Sequence, residues 1–196
     1  MSKISIEEIK KLKELSGVGL TDAKNALVEA NGDFDKALEA MRKKGLTKAE
    51  KRGDRETREG LIDAYIHDGR IGAIIELNCE TSFVAKTDEF KDLAHKLAMQ
   101  VASMNPLYVS EDDIPEDVKK AKMKELEENF KGPEKMKEQI LGGQMKKSFA
   151  DKVLMNQPYI LDDTKTGDAF IKESIAKTGE NITVRQFKRI ELGVTE

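Results

Sequence analysis

The chain has 196 residues, enough for one ordinary domain and a small accessory module. Lys and Arg number 34 against 37 Asp and Glu, a net charge of −3. That balance argues against generic nucleic-acid binding, which rests on a basic footprint, although local basic patches stay open. The 38% hydrophobic share suffices for a core, and no stretch approaches the roughly 20 apolar residues that span a bilayer. The segment Met1 to Glu8 lacks the apolar run of a secretory leader. The lone Cys79 supports neither an internal disulfide nor a zinc ligand set. These features predict a reduced, cytoplasmic protein without a membrane partner, metal or cofactor.

The first 45 residues read as three short helices. Ser5 and Glu8 form a capping box, followed by Ile6, Ile9, Leu12 and Leu15 at near-helical spacing. Gly17-Val18-Gly19 breaks this helix. Thr21 is the expected N-cap of the second, whose Ala23, Ala26, Leu27 and Ala30 share a face. Asn31-Gly32 ends that helix, Asp33 caps the third, and Gly45 is the expected stop. Residues 46–59 are crowded with charges of both signs, and the domain boundary is placed near Gly53.

A β-hairpin follows. Residues 61–67 and 70–79 flank Asp68-Gly69, a strong turn signal. In the second strand Ile71, Ala73, Ile75, Leu77 and Cys79 share one face. A third strand over 182–192 changes phase near Gln186, which predicts a bulge. Between these strands the apolar spacing predicts helices over Asp88 to Met104, from Ile114-Pro115 to Phe130, and from Glu134 toward Lys152 with a break at Gly142-Gly143. Gln157-Pro158-Tyr159 reads as a loop, and a last helix runs from Ala169 to Lys177. The fold class is therefore α+β, with a three-stranded antiparallel sheet packed against helices. The division is a three-helix module with charged linker (1–53) and an α+β dimerisation and core domain (54–196).

Enzyme motifs fare poorly. Ser174-Ile175-Ala176-Lys177 and Lys177-Thr178-Gly179 each match an acyl-enzyme element but share one lysine, so they cannot form two separate elements. Gly17-Val18-Gly19 lacks the strand and third glycine of a dinucleotide site, and no phosphate-binding Gly-Lys-Ser/Thr occurs. His67 and His95 show no partner of the kind a metal or nucleophile needs. Phe83 stands apart, because a large ring sits in a short polar turn. It either tucks under the next helix, on Val84 or Phe90, or projects as a wedge for another protein.

The stretch Asn78-Cys79-Glu80-Thr81-Ser82-Phe83-Val84-Ala85-Lys86 resembles the Asn-Cys-x-Thr-Asp-Phe-Val-Ala signature of the elongation factor Ts family, with Ser82 at the family's aspartate. The likeness continues through residues 15–27, 30–33, 41–45, 97–99, 105–106, 143–147, 156–159 and 179–185, and Gln144 stands at a common arginine. It implies a non-enzymatic guanine-nucleotide exchange factor, opening with a ubiquitin-associated-like module, whose partner is elongation factor Tu in GDP-bound and nucleotide-free states. By this resemblance Thr81, Ser82, Phe83 and Val84 dislodge Mg²⁺ from Tu, with Phe83 inserted between two G-domain helices. Leu20 and Thr21, with Leu12 nearby, match the positions that grip the G domain. Arg70, Ile71 and Gly72 match a hairpin element on its phosphate side. Ser82 lacks the charge of aspartate, so a charge-assisted contact is lost. The chain resembles short members, which carry one core subdomain and act as homodimers, with the long third strand a candidate interface. The alternatives are a ubiquitin-associated-like adaptor that binds a GTPase without exchange, and an α+β hydrolase, which lacks a site.

Overall fold

The computed structural model describes residues 4–194, and Glu134 by its backbone alone. Helix α1 (Ile6–Ser16) opens on the expected capping box: the Ser5 N–H donates to the Glu8 carboxylate at 2.8 Å, and the Glu8 N–H to the Ser5 hydroxyl at 3.0 Å. It closes at Gly17, whose φ of +68° is the left-handed cap. Helix α2 (Leu20–Glu29) starts from Gly19 rather than from Thr21, which lies inside the first turn. Helix α3 (Phe34–Glu50) is capped by the Asp33 carboxylate, which accepts the Lys36 N–H at 3.1 Å. Leu12, Val18, Ala23, Leu27, Ala37 and Met41 close a small core of their own. Ile6 and Leu15 stay exposed, so the α1 apolar stripe is narrower than its spacing predicts.

Gly45 does not stop α3. The helix runs on to Glu50 and lays Gly45 against α8 (Gly167–Thr178), where a Cβ on Gly45 would lie 3.2 Å from the Ala176 Cβ. The missing side chain serves helix–helix approach here, and Ala49 one turn later joins the main core. Arg52 donates to the Ile175 carbonyl at 3.2 Å and Lys172 pairs with Glu50 at 3.6 Å, fixing the same contact.

Strands β1 (Glu59–His67) and β2 (Ile71–Cys79) pair antiparallel across Asp68-Gly69. Both turn residues have positive φ, +49° and +65°, as a primed hairpin turn requires. β5 (Ile182–Glu191) pairs on the far side of β2, giving the order β1-β2-β5. Gln186 faces Glu76 while Val184 faces Leu77, so Arg185 is the extra residue of the predicted bulge. α5 (Asp88–Met104) covers the inner sheet face, with Phe90, Leu93, Leu97 and Val101 in one core with Ala73, Ile75, Leu77 and Cys79.

Among the described residues the outer face of the sheet carries no helix. Ile62 (67% exposed), Ile66 (70%), Ile74 and Ile190 (75%) stand on it in solvent. Helices α6 (Glu116–Glu128) and α7 (Lys137–Phe149) pack against each other, and Ile114, Phe149 and Val153 form a third cluster. α7 passes through Gly142 and Gly143 without the predicted break. Where a loop was expected at Gln157-Pro158-Tyr159, Pro158–Tyr159 (β3) pairs with Asp162–Thr166 (β4) in a small hairpin. The buried Gln157 anchors it, donating to the carbonyls of Met104 at 3.1 Å and Asp151 at 2.7 Å. No helix among the described residues is long and apolar enough to cross a membrane. Met1 to Lys3, part of the Met1 to Glu8 segment, lie outside the described residues.

Candidate functional site

After Cys79 the chain leaves β2 and makes one helical turn, α4 (Ser82–Ala85). Thr81 caps it, its hydroxyl accepting the Val84 N–H at 3.5 Å. The next cap, Thr87, donates its hydroxyl to the Val84 carbonyl at 2.8 Å and accepts the Phe90 N–H at 3.2 Å. Phe83 thus stands on a turn pinned at both ends, and its side chain points away from every core. It is 84% exposed, whereas Phe90, seven residues on, is 1% exposed. Packing on Val84 or Phe90 is therefore not its role, because a ring left in water gains nothing from folding. The half-buried Ser82 makes no side-chain hydrogen bond among the described residues.

Behind the turn lies a polar clasp. The Glu180 carboxylate accepts the N–H groups of Glu80 at 3.1 Å and Thr81 at 3.0 Å, and the Thr81 hydroxyl at 2.5 Å. Glu80 answers by accepting the Asn181 N–H at 2.6 Å and the Arg55 guanidinium at 3.3 Å. The buried Asn181 donates to the carbonyls of Gly53 at 3.1 Å and Arg55 at 2.8 Å, which brings the linker into the same network. The Asn181 N–H, and after it Arg55, hold the Glu80 carboxyl below its ordinary range despite partial burial. Its contribution to stability is therefore complete above the ordinary carboxylate range, and is lost only as pH falls through the lowered value.

Cys79 donates to the Thr81 carbonyl at 3.2 Å and is fully buried. Burial, and next the Glu180 charge, push its thiol up to about 11. The thiolate is the reactive form. Cys79 is expected to stay unmodified by a thiol reagent at pH 8 in the folded protein and to react fully in denaturant. Rapid reaction in the native state would contradict this placement.

The other predicted contact residues are spread over the surface. Leu20, 53% exposed, and the exposed Thr21 open α2. Leu12 is 0% exposed at the centre of the three-helix core, so it supports that surface and cannot itself touch a partner. The Arg70 side chain is exposed at the hairpin tip with no ion pair or hydrogen bond among the described residues. Ile71 is half-buried, and a Cβ on Gly72 would meet nothing within 4 Å, so a backbone can approach there. Tip and wedge sit at opposite ends of the nine-residue β2, about 27 Å apart at the rise of an extended strand. A site of this length suits a protein surface rather than a small molecule.

Both histidines have partners that sequence spacing did not reveal. His95 Nδ1 lies 3.0 Å from Asp63 Oδ2, and His67 Nδ1 lies 3.0 Å from the Tyr65 hydroxyl. No group of three or more His, Cys, Asp or Glu among the described residues could hold a metal ion. The Ser174 hydroxyl points back to the Phe170 carbonyl at 3.3 Å as an ordinary helix residue, and Lys177 packs over Gly17.

The chain is similar to known proteins over nearly its whole length. The Elongation factor TS family profile matches residues 5–194. The chain is 51% identical to elongation factor Ts of Thermotoga sp. (strain RQ2) over 193 residues, 97% of both chains. It is 50% identical to elongation factor Ts of Moorella thermoacetica over 195 residues, 97% of this chain and 96% of that one. With elongation factor Ts of Thermoanaerobacter sp. (strain X514) it shares 44% identity over 194 residues, 97% of this chain and 95% of the relative.

Proposed function

The chain belongs to the elongation factor Ts family and serves nucleotide exchange in translation elongation with elongation factor Tu as partner, and from that premise we propose how its surface does so. The carrying observation is Phe83, a large ring held 84% exposed on a doubly capped turn. Phe83 enters between two helices of the Tu G domain, and Thr81, Ser82 and Val84 shape the turn that follows it in. The displaced helices carry the segments that position Mg²⁺, and the metal bridges and neutralises the GDP phosphates. Loss of the metal loosens GDP without any contact between this chain and the nucleotide. Exchange of this kind is protein–protein binding rather than bond-making catalysis.

Leu20 and Thr21 grip the G domain, with Leu12 as buried support, while Arg70, Ile71 and Gly72 reach its phosphate side. We assign residues 1–53 to a ubiquitin-associated-like module with its charged linker, and 54–196 to the core domain. The separate apolar cluster around Leu12 and Leu27 supports that division. A homodimer joined through the outer sheet face fits the exposed Ile62 and Ile74, which lie away from the hairpin tip, whereas Ile66 and Ile190 flank Gly72. The second copy covers the end of that face toward Ile62 and leaves the Arg70 tip to Tu. A cytoplasmic site of action suits a translation factor.

Linkage gives the test. A factor that weakens GDP by some ratio is itself weakened by GDP in the same ratio, each decade being about 1.4 kcal/mol. Calorimetric titration is expected to show much tighter binding to nucleotide-free Tu than to Tu·GDP, by the ratio in which this protein lowers GDP affinity. Equal affinities would favour the adaptor reading, for which Ser82 in place of the family aspartate is the motivating feature.

A further inference from the structure

The wedge works only if the ring is presented at a fixed angle, and α4 has too few residues to fix itself. It is a single turn of four residues, too short to persist on its own. Its N-terminal entry, Glu80-Thr81, is held from across the chain: Glu80 is tied through its carboxylate to Asn181 and Arg55, and Glu180 alone takes the entry amides and the Thr81 hydroxyl. Glu180 follows directly on Gly179, the left-handed cap of α8, with φ +80°. Thr178 fixes the approach, its hydroxyl accepting the Glu180 N–H at 3.3 Å and donating to the Ser174 carbonyl at 2.9 Å. From there one carboxylate oxygen takes both entry amides and the other takes the Thr81 hydroxyl, the same hydroxyl that caps α4.

We propose that Glu180 is a positioning residue for the exchange turn: its carboxylate sets the entry angle of Thr81, and so the direction in which Phe83 projects. Glu180 touches neither nucleotide nor metal. Through Gly179 it also ties the turn to α8, and α8 carries Ala176 against Gly45 of α3. The grip of the N-terminal helices and the aim of the wedge thus share one rigid element. This inference rests on the exchange reading above, and its experiment separates the two.

Two variants divide shape from charge. Glu180→Asp keeps the charge but withdraws the carboxylate by about 1.5 Å, one carbon–carbon bond, out of reach of the entry amides. Glu180→Gln gives up the charge but keeps the reach. Its amide oxygen can accept both N–H groups, and its NH₂ can donate to the Thr81 oxygen. The readout is the saturating rate of fluorescent GDP release from Tu, together with the concentration of this protein at half saturation. E180D is expected to lower the saturating rate by about tenfold or more, the order seen when a reacting geometry is misplaced. Its half-saturating concentration is expected to stay close to wild type, although its melting temperature falls with the lost hydrogen bonds. E180Q is expected to retain most of the rate. In a Phe83→Ala background E180D is expected to add nothing, since there is no ring left to aim.

The proposal is overturned if E180D matches wild type, if E180D is active while E180Q is not, or if the E180D loss multiplies with that of Phe83→Ala. The wild-type and Phe83→Ala arms report on the exchange reading by themselves. If wild type accelerates release, Phe83→Ala does not, and E180D behaves as wild type, only the role of Glu180 fails.

Discussion

Phe83→Ala is expected to abolish most of the acceleration of GDP release while leaving the fold intact. A large aromatic that buries itself at the centre of an interface is the commonest kind of binding hot spot, worth about 2 kcal/mol or more, roughly 30-fold. In the proposed mechanism that loss falls on the step that displaces the metal. In the free protein the ring is 84% exposed, so its removal should move stability by no more than about 0.5 kcal/mol. Phe90→Ala supplies the contrast. Phe90 is 1% exposed under the same turn, and its truncation should cost about 3–5 kcal/mol and threaten folding outright. Stopped-flow release rates and thermal melts of both variants check the pair. A Phe83→Ala protein that exchanges at the wild-type rate would remove the wedge from the account.

The second large effect concerns assembly. Ile62→Lys combined with Ile74→Lys is expected to convert the proposed homodimer into a 22.0 kDa monomer. Both side chains lie on the open sheet face, and a two-fold contact presents each of them twice. Four isoleucines at about 1.5 kcal/mol each represent about 6 kcal/mol of lost burial, about four decades in the dimer constant. Neither residue supports the inner core, so the monomer should stay folded. Sedimentation or light scattering reads the mass directly. A wild-type protein that runs as a 22.0 kDa monomer at micromolar concentration yet exchanges fully would show that the sheet face has another use.

Local signals in the sequence located most of the fold. Asp68-Gly69 placed the hairpin because its two positive φ values are ones those residues accept. The phase change near Gln186 placed the bulge because alternation records which face is buried. The bounds of α5 followed from its apolar stripe. The errors share a cause, which is that tertiary contacts reuse local signals. Gly45 looked like a helix stop and is a close-packing position against Ala176. Gly142-Gly143 looked like a break, yet both glycines lie in an unbroken helix. The β3–β4 hairpin is too short to show alternation, and its anchor, Gln157, reaches carbonyls far away in sequence.

The site divides in the same way. Phe83 was visible as an anomaly, a ring with no core nearby, and the resemblance at residues 78–86 gave it a role. Leu12 was drawn into the contact set by its place beside Leu20 along the module, but only burial shows which of the two faces outward. Glu180 lies in the resembling stretch 179–185, but nothing local showed its role. It meets Glu80 and Thr81 about a hundred residues upstream, because β2 and β5 pair as neighbours and bring their ends together. The Asp63–His95 contact was hidden for the same reason, since it joins a strand to a helix 32 residues later.

The measurement that bears most directly on the central claim is GDP release from Tu with substoichiometric amounts of this protein, in Mg²⁺ and again with the metal chelated. A wedge that works by dislodging the metal should accelerate release strongly in Mg²⁺. Its advantage should shrink once a chelator has removed the ion beforehand, and Phe83→Ala should lose the Mg²⁺-dependent part. Acceleration of equal size with and without the metal, retained by Phe83→Ala, would contradict the account.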